Sequence, residues 1–433
     1  MSMFKKLWSN PEKPGKIREV PVDEIRENQP YNPFTELLFL DGHNDIVRIL
    51  LKIDSKRCVS TADDNLAIVW DIQFGYKLVT LSGHSRPITY MLRLPDYTTH
   101  RIKLATGSSD KQIRIWDLET GDCLHVLTDH QSSVKCLLLC GSEGAFCSGG
   151  ENLSLWSPSC SLLASYTQSS EENDICMMIN MSNDRIVTAS DKNLVVYVIS
   201  HSNELNLVKR LPSHREPVKF LVHVTDDVFA SASLDGTIKL WNTDTLASYL
   251  CFNSVNDPEG PNKTFPYSVQ TLICLNQRYL CAGIGTGFAL FDTETGKTVL
   301  HKQNAHHSKI NHLTFLCDGL YLATGAVDGA IRLWSCVDVV RDCINGDQGE
   351  ASRFLIAQHG LYEMWYKMEV QRVSLVGECL AHDGPVQALL NCDNESLVSC
   401  GVDGLVIVWK NENIQMLKRS HVLQATRTCD GIV

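Results

Sequence analysis

The residues of this 433-residue chain that could do chemistry are histidines, serines or threonines, and aspartates that recur in sets. In the first set, His43 is followed by Ser60 and then by Asp64. A serine hydroxyl, an imidazole and a carboxylate in hydrogen-bonding contact form the catalytic triad of many hydrolases. The first hypothesis to weigh is therefore a hydrolytic active site.

The set recurs, and a tryptophan completes each copy. Five complete copies are present: His43, Ser60, Asp64 and Trp70; His84, Thr106, Asp110 and Trp116; His214, Ser231, Asp235 and Trp241; His306, Thr324, Asp328 and Trp334; His382, Ser399, Asp403 and Trp409. An active site is normally assembled once in a chain, whereas a constraint of the fold repeats with the fold. We therefore interpret the copies as structural tetrads and expect no enzymatic activity from them.

Metal binding and disulfide formation are disfavoured by the spacing of the remaining ligands. His306 and His307 are adjacent, but His306 belongs to a tetrad and His307 has no evident second ligand. The 17 cysteines are odd in number, and none of their spacings is the C-x-x-C of a zinc or redox site. We expect no metal, no cofactor and a cytoplasmic, reducing environment.

Composition narrows the classes of partner. The formal net charge of −11 repels phosphate backbones, so nucleic acid is not an expected partner. No run of about 18 uncharged apolar residues is present, so we expect no direct insertion into a membrane.

The tetrads lie on a repeat of short β-like runs. Each tetrad tryptophan ends such a run, and Trp156, Tyr197 and Phe291 end three more. The steps between the eight aromatics are 46, 40, 41, 44, 50, 43 and 75 residues, and most of them lie near the ~40–45-residue period of a propeller blade. The sequence predicts an all-β, eight-bladed β-propeller.

Three of the eight units are degenerate. The unit that ends at Trp156 has Gly150 at the aspartate position and Phe146 at the Ser/Thr position. The Tyr197 unit lacks the starting histidine, and the Phe291 unit lacks both the histidine and the aspartate. We expect these three units to lack the full tetrad.

The chain ends define the predicted domains. Residues 34–40 have the length of an outer strand that would complete the last blade, because a propeller must leave no open edge. We therefore predict a mobile tail over 1–32 and a propeller over 33–410. A long insertion before the last repeat is expected at about 338–372, and a short helix with a tail at 411–433.

The Gly-His start and the Trp-Asp end of the units, as at Gly83-His84 and Trp116-Asp117, resemble the WD-repeat family over about residues 34–410. Propellers of that family have the tetrad as a hydrogen-bonded set within one blade. The resemblance implies a rigid scaffold that binds other proteins through exposed loops and edges.

More specific stretches resemble one WD-repeat subfamily: Asn32–Leu38, Ser133–Leu137, Met364-Trp365 and Ile407–Asn411. The resemblance implies a non-catalytic scaffold subunit of a heteromeric complex with two DENN-domain proteins. Such a complex regulates small GTPases in autophagy and lysosomal signalling. The expected location is cytoplasmic, with recruitment to the lysosomal surface.

The same resemblance implies two sets of partner-binding residues. The DENN subunit would be held by the N-terminal strand and the C-terminal helix, here Phe34, Leu37, Phe39, Ile414, Leu417 and Val422. A lysosomal membrane transporter would be bound through the insertion, here Met364, Trp365 and Arg372.

Three other functions remain open at this stage. A substrate receptor of a cullin-type ubiquitin ligase commonly has Trp-Asp-x-Arg after a repeat, but here Trp70 precedes Asp71-Ile72-Gln73. An enzyme with its site in the central channel would need titratable residues that do not recur with the repeat, and none stands out. A generic WD-repeat adaptor is the remaining alternative.

Overall fold

The computed structural model describes residues 32–95, 101–140, 144–167, 173–181, 184–212, 214–253, 268–336, 373–392 and 396–412. These residues form eight antiparallel sheets of four strands each. Inner strands of successive sheets contact one another around a closed ring, and the last contact joins the eighth sheet to the first. The predicted eight-bladed, all-β propeller is confirmed.

The first strand, β1 (Phe34–Leu40), belongs to the last blade. Blade 1 contains β2 (Val47–Lys52), β3 (Arg57–Ala62), β4 (Ala67–Asp71) and β5 (Tyr76–Leu81). Blade 2 contains β6 (Ile88–Pro95), β7 (Ile102–Ser108), β8 (Ile113–Asp117) and β9 (Cys123–Leu127). Blade 3 contains β10 (Cys136–Cys140), β11 (Ala145–Gly149), β12 (Asn152–Trp156) and β13 (Leu162–Thr167). Blade 4 contains β14 (Ile175–Met181), β15 (Arg185–Ser190), β16 (Asn193–Ile199) and β17 (Leu205–Leu211).

The second half of the ring repeats this order. Blade 5 contains β18 (Val218–Thr225), β19 (Val228–Ser233), β20 (Thr237–Asn242) and β21 (Ser248–Asn253). Blade 6 contains β22 (Val269–Leu275), β23 (Tyr279–Ile284), β24 (Gly287–Asp292) and β25 (Lys297–Lys302). Blade 7 contains β26 (Ile310–Leu316), β27 (Tyr321–Ala326), β28 (Ile331–Ser335) and β29 (Ser374–Cys379). Blade 8 contains β30 (Val386–Cys392), β31 (Ser396–Gly401), β32 (Val406–Asn411) and β1.

Position within a blade explains the residue pattern of each strand. In blade 1 the second and third strands, β3 and β4, are buried over almost their whole length. The outer strand β5 is mostly exposed. Middle strands face a neighbouring blade on both sides, so both of their faces are buried, whereas an outer strand meets solvent. The core therefore consists of apolar layers between blades, as where Trp70 packs with Val398 between blades 1 and 8.

A left-handed turn follows each tetrad aspartate. In blades 7 and 8 the residue after the aspartate is Gly329 (φ 81°) or Gly404 (φ 78°), and glycine adopts this conformation without steric cost. Asn65 (φ 68°) and Lys111 (φ 71°) hold the same position in blades 1 and 2. The turn lets the aspartate accept a nearby backbone amide, as Asp403 does from Leu405 at 3.1 Å.

The ring closes as predicted, with β1 as the outer strand of blade 8. β1 pairs antiparallel with β32, so the first and last of the described strands are neighbours. The strand β32 extends to Asn411, one residue beyond the predicted boundary at 410. Three predicted segments lie outside the described residues. They are the N-terminal tail except Asn32, the insertion at about 338–372, and the C-terminal helix and tail beyond Glu412.

Candidate functional site

The first tetrad is a continuous hydrogen-bonded chain across blade 1. Trp70 Nε1 donates to Ser60 Oγ at 2.7 Å, and Ser60 Oγ lies 2.8 Å from His43 Nε2. His43 Nδ1 lies 2.8 Å from Asp64 Oδ2. One tautomer satisfies every group: the serine hydroxyl donates to Nε2, and Nδ1–H donates to the carboxylate.

The tetrads of blades 2 and 8 have the same geometry. His84 lies 2.8 Å from Thr106 Oγ1 and 2.8 Å from Asp110 Oδ2, and Trp116 donates to Thr106 at 2.8 Å. Burial would raise the pKa of Asp110, but hydrogen bonds from His84 and two backbone amides hold that pKa below its usual value. The three contacts in blade 8 measure 2.7 to 2.8 Å: His382–Ser399, His382–Asp403 and Trp409–Ser399.

In blade 5 a threonine separates the histidine from the aspartate. His214 Nδ1 lies 3.0 Å from Thr237 Oγ1, and this hydroxyl donates to Asp235 Oδ1 at 2.6 Å. The direct distance from His214 Nδ1 to Asp235 Oδ2 is 3.7 Å, too long for a hydrogen bond. The four predicted residues are therefore together, but Thr237 is a fifth member that the spacing did not reveal.

Blade 7 has the loosest of the five tetrads. Trp334 Nε1 donates to Thr324 Oγ1 at 3.1 Å, and His306 Nε2 lies 2.7 Å from the same hydroxyl. His306 Nδ1 lies 3.3 Å from Asp328 Oδ1 in a geometry that makes no hydrogen bond, so this buried nitrogen lacks a partner. Burial opposes ionisation of Asp328, but the nearby imidazole and two backbone amides keep the pKa of Asp328 lowered.

Blade 3 has the tetrad hydroxyl that the sequence analysis expected to be missing. Trp156 Nε1 donates to Ser148 Oγ at 2.7 Å, and His130 Nε2 lies 2.6 Å from that hydroxyl. Phe146, which the ten-residue spacing selects, instead stacks on Trp156 with ring centroids 6.2 Å apart. The hydroxyl stands eight residues before the tryptophan because the β11–β12 hairpin is two residues shorter than its counterparts. This blade therefore has three tetrad members, and only the aspartate is missing.

In the two remaining degenerate blades the aromatic residue packs against the preceding blade. Tyr197 of blade 4 contacts Tyr166 of blade 3 edge to face, with centroids 5.0 Å apart. Phe291 of blade 6 contacts Phe252 of blade 5, with centroids 4.7 Å apart. Aromatic contacts of this kind contribute about 0.5–1.5 kcal/mol beyond area burial, so they stabilise the contact between adjacent blades.

Burial decides what the tetrads can do. The hydroxyls of Ser60, Thr106 and Ser399 belong to residues with no exposed surface. Each hydroxyl already contacts both an indole N–H and an imidazole, so no substrate could reach it as a nucleophile. The tetrads hold the strands of a blade together.

The pairing of β1 with β32, here called the seam, contains the predicted N-terminal contact residues. Phe34 is 1% exposed and belongs to the core between blades 7 and 8. Leu37 is half-buried against the same core, whereas Phe39 is 54% exposed. Of these three residues, only Phe39 presents most of its side chain to a partner. Their role in partner binding stays a prediction.

Both ends of the described chain lie at the seam. The amide of Glu412 donates to the carbonyl of Pro33 at 2.8 Å, and Thr35 Oγ1 donates to Glu412 Oε2 at 2.9 Å. Asn32 Nδ2 donates to the carbonyl of Glu378 in blade 7 at 3.4 Å. The two ends of the described chain are therefore adjacent, at Thr35 and Glu412.

A pair of exposed aromatic rings beside the seam was missed by the sequence analysis. Phe74 and Tyr76, here called the aromatic turn, are 60% and 66% exposed, and their rings stack with centroids 6.2 Å apart. Lys410 Nζ donates to the carbonyl of Gln73 at 2.6 Å and so fixes this turn of blade 1 to blade 8. Two aromatics on either side of a glycine in an otherwise polar turn were the available signal.

The remaining predicted contact residues fall outside the described chain: Ile414, Leu417, Val422, Met364, Trp365 and Arg372. The segment that holds the last three connects Cys336, after β28, to Val373, before β29. Their roles stay predictions.

The described ranges contain no group of three His, Cys, Asp or Glu side chains that could hold a metal ion. In the same ranges no helix is both long enough and apolar enough to cross a bilayer.

Comparison with known proteins agrees with this geometry. The family model of the WDR41 β-propeller matches residues 3–419. The chain is 26% identical to WD repeat-containing protein 41 of Mus musculus, over 92% of this chain and 91% of the relative. It is also 26% identical to the protein of that name from Homo sapiens, over 92% of each chain. A more distant similarity, 25% identity over 65% of this chain and 53% of the relative, links it to pre-mRNA-processing factor 19 of Oryza sativa subsp. japonica.

Among solved structures, the computationally designed Ika8 protein is similar in fold. Its TM-score is 0.64 at 22% identity, with 86% of this chain and 98% of that chain covered. The family model matches nearly the whole length of a chain that forms a closed eight-bladed propeller. The chain therefore belongs to the WDR41 family of WD-repeat β-propellers.

Proposed function

We propose that this chain is the non-catalytic scaffold subunit of a complex with two DENN-domain proteins. The complex would regulate small GTPases in autophagy and lysosomal signalling, and the propeller would dock it at the lysosome. The observation that carries the proposal is the seam, where both ends of a WDR41-family propeller meet.

The exposed groups at the seam support binding of a DENN subunit there. Among the described strands, β1 is the outermost of blade 8 and pairs with β32 alone, so a partner segment could pair along its other edge. Phe39 and the aromatic turn offer large exposed rings of the kind enriched in binding hot spots. The adjacency of Thr35 and Glu412 lets one partner contact the N-terminal strand and the C-terminal segment together.

The burial of the tetrads supports a non-catalytic role. Their serine and threonine hydroxyls are enclosed and hydrogen-bonded in every complete copy. A rigid ring with exposed edges is suited to hold other proteins in a fixed arrangement.

Affinity purification from cells tests the proposal. The full chain should recover two DENN-domain proteins, identified by mass spectrometry, and a chain without 413–433 should recover less of both. Loss of binding is informative only if the shortened chain keeps the melting temperature of the full chain. Recovery of cullin adaptors in place of DENN-domain proteins would overturn the proposal.

We further propose that the insertion docks the complex on a lysosomal membrane transporter through Met364, Trp365 and Arg372. The insertion connects β28, the third strand of blade 7, to β29, the outer strand of that blade. The Trp365→Ala variant should lose recruitment to lysosomes in cells while it still recovers the DENN-domain proteins. Unchanged recruitment would overturn this part of the proposal and leave the DENN assignment intact.

A further inference from the structure

Each blade has one residue, at or just before the start of its inner strand, that lies outside the strand ladder. The inner strand is the first of the four consecutive strands of a blade, β30 in blade 8. In seven inner strands a β-bulge near the first residue leaves one residue out of the ladder of paired residues. In blade 3, Lys135 holds the equivalent position just before β10. These eight residues, here called the bulge ring, are Arg48, Thr89, Lys135, Cys176, Lys219, Gln270, Asn311 and Gln387.

Four members of the bulge ring line one open cavity. Arg48, Thr89, Lys135 and Cys176 come from four successive blades and share a space of about 460 Å³ with Asp63. This volume lies within the range of about 300–1,000 Å³ that small-molecule sites occupy. The open cavity therefore has room for a small ligand.

The bulge ring is cationic in an acidic protein. It contains three cations, Arg48, Lys135 and Lys219, and no carboxylate, although the whole chain has a formal charge of −11. Arg48 forms a bidentate ion pair with Asp63, with its Nε 2.6 Å from one carboxylate oxygen and its Nη2 2.5 Å from the other. Within the described part of the chain, no carboxylate pairs with Lys135 or Lys219.

The two unpaired lysines act on the same region. Burial raises the pKa of the Cys176 thiol, and both Lys135 and Lys219 oppose that rise, so the two ammonium groups flank this thiol. Asp174 and Asp191 are the carboxylates that also act on Cys176. Burial and the charge of Lys219 together lower the pKa of Lys309, which directly precedes β26.

Lys135 and Lys219, from blades 3 and 5, thus lie near one thiol, and neither has an ion-pair partner in the described part of the chain. Gathering like charges is unfavourable unless a counter-charge binds. Ammonium groups are compact point charges that suit phosphate oxygens. Amide side chains of the bulge ring, such as Asn311 and Gln270, already act as hydrogen-bond donors at this level.

We propose that the bulge ring binds a ligand with clustered phosphate groups, either a soluble polyphosphate or the headgroup of a phosphoinositide. The size of the cavity favours such a compact anion over an acidic peptide. The site lies on the inner strands, whereas the proposed DENN-binding surface is at the outer strands, so neither proposal depends on the other.

Titration calorimetry of the full chain with pyrophosphate and with inositol hexakisphosphate tests the site. We expect binding of inositol hexakisphosphate that weakens as salt increases, because the contact is ionic and partly exposed. The Lys135→Gln/Lys219→Gln variant should lose at least tenfold in affinity. The matched control Lys77→Gln/Lys297→Gln removes the same charge from exposed outer strands and should bind as the original chain does.

Vesicle co-sedimentation distinguishes the two sources of phosphate. Binding to phosphatidylcholine vesicles that contain phosphatidylinositol bisphosphate, and not to vesicles with phosphatidylserine, would assign the headgroup; soluble binding alone would assign a free polyphosphate. Three results would overturn the proposal: no binding of any phosphate probe, equal binding by the Lys135→Gln/Lys219→Gln variant and the original chain, or binding of a polyglutamate peptide alone. The single variants Lys135→Gln and Lys219→Gln repeat the comparison if the double variant does not fold.

Discussion

Leu37 on the first strand lies directly opposite Trp409 on the last strand, and both side chains pack in the core between blades 7 and 8. The first and last described strands are therefore joined within one sheet rather than through a loop. Ring closure depends on this pairing, because without β1 the strand β32 would be an open, largely apolar edge.

Truncation of the N-terminus should distinguish the contribution of β1 to ring closure from the contribution of the residues before β1. A chain without residues 1–31 should melt at the temperature of the full chain, since β1 remains in place. A chain without residues 1–40 should melt at a clearly lower temperature or aggregate, because it exposes the edge of β32. Circular dichroism melts of the three chains measure this, and equal melting of all three would contradict the closure.

Substitutions on β1 should separate core from contact residues. Phe34→Ala empties a buried position and should lower the free energy of unfolding by about 3–5 kcal/mol. Phe39→Glu changes an exposed ring and should leave the melt unchanged while it weakens recovery of the DENN-domain partners.

Tyr249→Glu is the matched control, because Tyr249 is also 54% exposed but lies on β21 in blade 5. Partner recovery that falls equally for Phe39→Glu and Tyr249→Glu would count against the seam as the binding surface.

Ser148→Ala tests the corrected assignment in blade 3. The change leaves the indole N–H of Trp156 and a nitrogen of His130 without their common partner. Loss of partners for buried polar groups should cost about 1–3 kcal/mol of unfolding free energy, measured by urea denaturation. The exposed Ser82→Ala is the control and should cost close to nothing. Equal stability of the two variants would refute the assignment.

Acidification should destabilise the ring through His130. Burial lowers the pKa of His130 to about 4, and no aspartate completes its tetrad. In the unfolded chain an ordinary histidine takes up a proton near pH 6.5, so the neutral folded form loses stability as the pH falls from about 6.5 towards 4. At pH 5 the loss from this one group is about 2 kcal/mol relative to pH 7.

Unfolding free energies at pH 7 and pH 5 measure this effect. In the His130→Gln variant the difference between the two pH values should shrink by that amount. A difference that does not change would show that His130 is not buried in the neutral form.

The sequence predicted the repeating hydrogen-bonded sets well because their geometry is nearly invariant. In the five complete copies the tryptophan stands ten residues after its hydroxyl partner, since the hairpin between those strands has a fixed length. The ten-residue spacing did not identify Ser148, because the hairpin in blade 3 is two residues shorter than in the complete copies. It did not identify Thr237, because a hydrogen bond relayed through a hydroxyl depends on side-chain placement and not on spacing.

The candidate surface was less predictable than the fold. Phe34, Leu37 and Phe39 lie on one seven-residue strand, and alternation along a strand cannot tell which neighbour covers which side chain. Burial of Phe34 follows from contact with blade 7, a relationship between residues far apart in the sequence. The bulge ring was missed for a similar reason, since its members are brought together only by closure of the ring.

Hydrogen–deuterium exchange of the chain alone and of the chain bound to its DENN-domain partners tests the central claim most directly. The account predicts new protection at Phe34–Leu40 and over 413–433, with blades 3 to 5 unchanged. Protection confined to blades 3 to 5, with no change at Phe34–Leu40, would contradict the seam as the partner-binding surface.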